Sequence, residues 1–205
     1  MTKQVIVSVL TVACLHAISF SQRDTSAIDW FKNATAKYDL ADHQGAIDDL
    51  TKAISLKPDY AEAYIKRGSA KWALKDNQGA FADYAKAIEL KPDLAEAYYE
   101  RGSVKGLLKD NQGAFADYAK AIELKPDYAE VYLNRGGVKF MLKDHQGSIA
   151  DLTKAIELKP DYAKAYYARG GEYLVLGEKN KALADFMRAR ELGESVPQQF
   201  LDRCK

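Results

Sequence analysis

Cysteine is almost missing from this chain of 205 residues. There are two, Cys14 and Cys204, and no CxxC pair. Thiolate metal sites of the ribbon type and dithiol redox chemistry are therefore excluded, and no disulfide framework is expected. Histidine is scarce as well. His16 lies in the apolar N-terminal stretch, and His43 and His145 fall at equivalent places in a repeat where Asn77 and Asn111 also stand. Exchange with Asn reads as a turn or helix-start position, not as a metal ligand or general base. The adjacent acids Asp48 and Asp49 point to different faces of a helix. With no HExxH and no glycine-rich phosphate loop, neither an enzyme nor a metal or other cofactor is expected. An excess of one charge is lacking too, with 30 basic against 29 acidic residues and no basic face, so there is no electrostatic footprint for nucleic acid.

Charge is also absent from the N-terminal segment. Among residues 1–21 only Lys3 is ionised, the apolar run Val5–Ile18 follows it, and small residues at Ser19 and Ser21 precede Gln22. This is the layout of a secretory signal peptide cut after Ser21, which predicts a secreted or periplasmic protein. The run is shorter than the roughly 20 residues that a spanning helix needs, and His16 interrupts it. No membrane span is therefore expected after cleavage. The alternative is a membrane-anchored adaptor that keeps the segment.

Proline is rare but not scattered. Pro58, Pro92, Pro126 and Pro160 each lie 34 residues apart within the phrase Lys-Pro-Asp. A fixed period of this length means one supersecondary unit stacked on copies of itself. Five units follow, at 27–60, 61–94, 95–128, 129–162 and 163–196. In the second, apolar and small residues at helical spacing predict one helix over Ala61–Leu74. A break at Lys75–Gly79 and a second helix over Ala80–Leu90, closed by Lys91-Pro92, complete it. Asp59, Asp93 and Asp127, each three residues before a Glu, predict capping boxes at the first helices; Lys164 breaks the pattern in the fifth unit.

Small residues recur in columns. Gly68, Gly102, Gly136 and Gly170 share one with Ala34; Ala46, Ala80, Ala114, Ser148 and Ala182 form a second; Ala53, Ala87, Ala121, Ala155 and Ala189 form a third. Since glycine inside a helix costs about 1 kcal/mol against alanine, its recurrence means close backbone approach. Large columns oppose them: Trp30, Tyr64, Tyr98, Tyr132, Tyr166, and Leu50, Tyr84, Tyr118, Leu152, Phe186.

This arrangement over residues 27–196 resembles the tetratricopeptide repeat. It departs from that pattern in Arg67, Arg101, Arg135 and Arg169 before the glycines. It departs again in Lys37, Lys71, Lys105 and Lys139 where a Tyr is usual, restored only at Tyr173. The resemblance implies an all-α, right-handed α-solenoid of stacked antiparallel helix pairs whose first helices line a concave groove. The groove would hold a peptide or protein. Its implied lining is Phe31, Ile65, Tyr99, Leu133 and Tyr167, with Tyr38, Trp72 and Phe140 further along. Thr35, Ser69, Ser103, Gly137 and Gly171 lie between. Those columns lack the Lys and Asn with which some members clamp a terminal carboxylate, so an apolar peptide fits better. The same aromatic stripe could instead serve packing between repeats.

The arginines face an equally regular column of acids. Pairing across units (Asp49–Arg67, Asp83–Arg101, Asp117–Arg135, Asp151–Arg169) leaves only Asp185 unmatched, whereas pairing within units sets Asp49 against Asn33; the first register is the expectation. The end of the chain, 197–205, is long enough only for a short cap or tail, with Cys204 expected as a surface thiol. If the cap left apolar surface open, the repeat ends could support self-association into a structural solenoid.

Overall fold

The structure, a computed structural model, describes residues 26–204, so the proposed leader lies outside the described residues. All regular structure among them is α-helical: α1 (26–39), α2 (His43–Leu56), α3 (Ala61–Ala73), α4 (Asn77–Leu90), α5 (Ala95–Leu107), α6 (Asn111–Leu124), α7 (Ala129–Met141), α8 (His145–Leu158), α9 (Ala163–Val175), α10 (Lys179–Glu191) and α11 (Gln198–Arg203). The chain divides into two compact units, one ending at Pro92 and the other beginning at Asp93. In the first, α2 packs on α3 and α3 on α4. In the second, each of α5 to α10 packs on the next, and α5, α7 and α9 also touch in turn. None of the described helices is long and apolar enough to cross a membrane.

The turn within each repeat closes the first helix by a left-handed residue. Lys75 has φ +67°; its N–H donates to Trp72 O, and the N–H of Asp76 to Lys71 O, both at 2.9 Å. These two bonds form a Schellman motif, and they recur at Lys109, Lys143 and Gly177. The next residue caps the second helix. Asp42, Asp76, Asp110 and Asp144 accept the N–H of Gly45, Gly79, Gly113 and Gly147. Glycine leaves room for this bond, since a Cβ on Gly79 would fall 2.1 Å from the Asp76 carboxylate and displace it. The second helix consequently begins at Asn77, three residues earlier than the periodicity suggests, and His43 and His145 occupy helix starts as expected.

The capping boxes predicted at the first helices do not form. Tyr60, Leu94, Tyr128 and Tyr162 hold the N-cap position without a side-chain cap bond. With Tyr60 as the N-cap, the third helical residue is Ala63, whose N–H donates to Tyr60 O at 3.0 Å. Asp59 therefore stands one residue outside the helix, and Glu62 one residue too early for a box. Glu62 instead accepts from Lys91 at 2.6 Å, tying a helix start to the Lys-Pro that closes the repeat. Without a box at any of these four starts, α9 begins like the others.

The core comes from the small-against-large columns. A Cβ on Gly68 would sit 2.7 Å from the Tyr84 ring, on Gly102 2.9 Å from Tyr118, and on Gly170 2.8 Å from Phe186. Each large side chain is buried. Burial of such a ring contributes roughly 1.5–3 kcal/mol, more than the ~1 kcal/mol that helical glycine costs. At the end of the chain, α11 lays Leu201 and Phe200 onto Phe186 and Tyr167. Cys204 is not the exposed thiol expected from its position. It is 5% exposed, and its Sγ donates to Phe200 O at 3.2 Å.

Candidate functional site

The acids of the regular column are nearly buried, and the three central ones, Asp83, Asp117 and Asp151, each hold two cations. Arg67 Nε and Nη2 donate to Asp83 at 2.9 and 2.7 Å, and Lys71 Nζ lies 2.8 Å from the same carboxylate. Arg101 and Lys105 grip Asp117 in this way, and Arg135 and Lys139 grip Asp151. Arg169 alone holds Asp185, because Tyr173 replaces the lysine; Lys37 alone holds Asp49 at 2.7 Å, because Asn33 replaces the arginine. The expected register across units is therefore corrected to one within units. The reason lies one residue away. Gly68 meets Tyr84, 16 residues later, and Arg67 and Asp83 keep that offset. The preceding repeat is reached instead through Thr51 and Thr153, which accept from Arg67 and Arg169 at 3.2 and 3.0 Å. The arginines also stack near Tyr64, Tyr98, Tyr132 and Tyr166, with Arg67 5.4 Å from its ring. The four Arg-for-Leu and Lys-for-Tyr departures are thus one buried ionic device, structural in character.

The expected groove residues divide by environment. In the first unit Phe31 packs on Tyr60 at 5.1 Å, and Tyr38 meets His43 edge-on with Lys66 Nζ 5.1 Å from its ring. Trp72 is half-buried. Ile65 is 4% exposed and belongs to the core, with no surface to offer a ligand. In the second unit Tyr99 is wedged between Tyr118 and Tyr128, and its hydroxyl accepts from Asn134 at 3.2 Å. Burial raises the Tyr99 and Tyr128 hydroxyls above the ordinary tyrosine range and pushes Tyr118 up to about 12, so this cluster is uncharged at neutral pH. Leu133 is half-buried, and Phe140 is open, edge-on to His145.

Phe140 and Tyr167 are brought together at a cavity of about 390 Å³ in the second unit. Its origin is a pair of linked changes. In the second and third repeats, Ser69 and Ser103 sit over the buried rings and bond to the hydroxyls of Tyr84 and Tyr118 at 3.3 and 3.2 Å. In the fourth and fifth, Gly137 and Gly171 stand where those serines do, and Leu152 and Phe186 carry no hydroxyl. A Cβ on either glycine would meet nothing within 4 Å. Removal of the side chain and its polar partner together leaves an apolar hollow, walled on one side by Phe200 of α11.

Two polar groups missed in the sequence line it. Glu172 is 2% exposed, where Ala70, Val104 and Val138 stand at the matching places of other repeats. Its Oε2 accepts from His145 Nδ1 at 2.9 Å, and its Oε1 has no hydrogen-bond partner. Ser148 is fully buried in a column of alanines, and its hydroxyl also lacks a partner. Departure from the repeat column is the signal that marks both. Among the described residues no cluster of three His, Cys, Asp or Glu side chains is placed to hold a metal.

Comparison with known proteins places these features in a family context. Family models described as Tetratricopeptide repeat match residues 31–95, and then 95–128 and 129–162. No curated protein matches the chain. Among solved structures, it is similar to MamA at 28% identity and a TM-score of 0.71, over 78% of this chain and 93% of that one. It shares the fold of PilF of Pseudomonas aeruginosa (17% identity, TM-score 0.79, 85% and 80% covered). It also shares that of YrrB, described as a repeat protein with an unusual peptide-binding site (21% identity, TM-score 0.68, 87% and 91% covered).

Proposed function

Because the chain belongs to the tetratricopeptide repeat family, a fold of stacked helix pairs that serves as a protein-interaction scaffold, we propose that it is a non-catalytic scaffold. It is exported across a membrane and binds a peptide or protein partner on the face formed by its first helices. The observation that carries this reading is the apolar cavity at Phe140 and Tyr167. An open hollow of about 390 Å³ between well-packed repeats leaves apolar surface uncovered, and partner side chains are what such surface accepts. The likeness to a repeat protein described by its peptide-binding site supports the same direction. The leader-like segment 1–21 supports export.

Cross-linked affinity capture from the native cell envelope tests the interaction. Phe140→Ala/Tyr167→Ala, verified as helical by circular dichroism, should lose a partner that the wild type recovers. An unchanged partner set would move binding away from this face, and recovery of the chain alone would favour self-association. Mass spectrometry of the mature protein tests export, with Gln22 expected as its first residue.

A further inference from the structure

We propose that the cavity of the second unit is a selective socket for a basic side chain, lysine or arginine, of the peptide partner. The inference deepens the interaction reading and rests on it. Three features combine. The walls are apolar, formed by Phe140, Leu152, Leu174, Val175 and Phe200, and suit an aliphatic stem. Glu172 and Ser148 belong to the lining, and Glu172 Oε1 and Ser148 Oγ are buried without hydrogen-bond partners. The carboxylate is held in place from its other oxygen by His145, at 2.9 Å.

An unpaired buried carboxylate oxygen is costly, and a ligand that supplies a donor relieves the cost. A purely apolar side chain would cover Oε1 without satisfying it. An acidic one would add a like charge. An ammonium or guanidinium on an apolar stem satisfies both the walls and the acceptors. Repetition argues that the arrangement is not required for folding. Equivalent places in other repeats carry Ala or Val for Glu172 and Ala for Ser148, and those repeats pack normally. Gly137 and Gly171 keep the entrance open where serines stand earlier in the chain. Arg203 also lines the cavity and is the group there with which an acidic occupant would pair, so the glutamate probe is the decisive comparison.

The test uses capped amino acids as probes on the full chain: N-acetyl-lysine methylamide, with the norleucine and glutamate analogues for comparison. Binding is read by NMR from the methyl groups of Leu152, Leu174 and Val175. The lysine probe should bind about tenfold more tightly than norleucine, the effect of one charge-assisted bond to a buried carboxylate, and the glutamate probe should not bind. Glu172→Gln, which keeps the side-chain volume, should erase the preference for lysine. Equal affinity for lysine and norleucine in the wild type, or no saturable methyl shift with any probe, overturns the proposal without need of a variant. The envelope capture separates the two levels: partners retained by Glu172→Gln refute the socket and leave the interaction reading standing, whereas a wild type that captures nothing counts against that reading itself.

Discussion

The clearest quantitative consequence concerns Asp151. It is 5% exposed, accepts from Arg135 Nε and Nη2 at 2.8 Å each, and lies 2.9 Å from Lys139 Nζ. Asp151→Ala leaves the Arg135 guanidinium, which lies near Tyr132 and Phe115, and the Lys139 ammonium half-buried with no acid between them. Removing one partner of a buried ion pair costs about 3–5 kcal/mol. Here the lower part of that range is expected, since the Arg135 and Lys139 side chains keep 17% and 15% exposure and can turn toward water. Replacing all three members by apolar residues, Arg135→Met and Lys139→Met with Asp151→Leu, leaves no uncompensated charge and should cost much less. The assay is a double-mutant cycle read by urea unfolding at 222 nm. Coupling of Arg135 to Asp151 should reach roughly 2–3 kcal/mol, the strength of a charge-assisted bidentate contact, and should persist in high salt because the pair is shielded from solvent. Coupling of Arg135 to Asp117, which is already held by Arg101 and Lys105, should stay within about 0.5 kcal/mol. A larger coupling to Asp117 than to Asp151 would refute pairing within the repeat and restore the register across repeats.

Three further outcomes follow from the same geometry. Neighbouring glycines of α9 should respond in opposite directions: Gly170→Ala drives a Cβ to 2.8 Å from the Phe186 ring and should destabilise by ~1–3 kcal/mol, while Gly171→Ala meets nothing and should stabilise by ~0.5–1 kcal/mol, both measurable by thermal unfolding. Tyr118 is raised by burial to about 12 in the folded chain against 10 when unfolded, so its contribution is complete below pH 10 and is lost as pH rises from 10 toward 12; Tyr118→Phe should flatten that loss, and absorbance at 295 nm in the wild type should show a tyrosine still neutral at pH 11. Cys204 should resist alkylation in the folded protein and react fully in denaturant; rapid native labelling would mean that α11 does not stay docked.

Much of this fold was legible in the chain because a repeat states the same local rule several times. The spacing of Pro58, Pro92, Pro126 and Pro160 marks where second helices end, since proline excludes helix at the residue before it. The glycine column announces close approach, because a residue that costs a helix about 1 kcal/mol recurs at the same place in four repeats. Both are properties of short segments and depend on no distant partner. Capping was misjudged on the same local level: the Asp-x-x-Glu pattern before each first helix matched a known device, but the chain enters one residue later, and the capping aspartates are Asp76 and its equivalents.

Other features are decided only when helices meet. Every arginine had two acids at plausible separations, and composition treats both alike. The contact of Gly68 with Tyr84 sets the offset between helices, and Arg67 must then follow it to Asp83. Burial of Cys204 likewise depends on where α11 lands. Glu172 and Ser148 read in sequence as small lapses from a pattern; it is the tertiary arrangement that buries them beside Gly137, Gly171 and His145 and so makes a polar spot in an apolar hollow. Period and helix ends arise from backbone chemistry within a few residues, and the sequence determines them alone. Partner choice and cavity shape arise from packing between segments tens of residues apart, which no single stretch of chain contains.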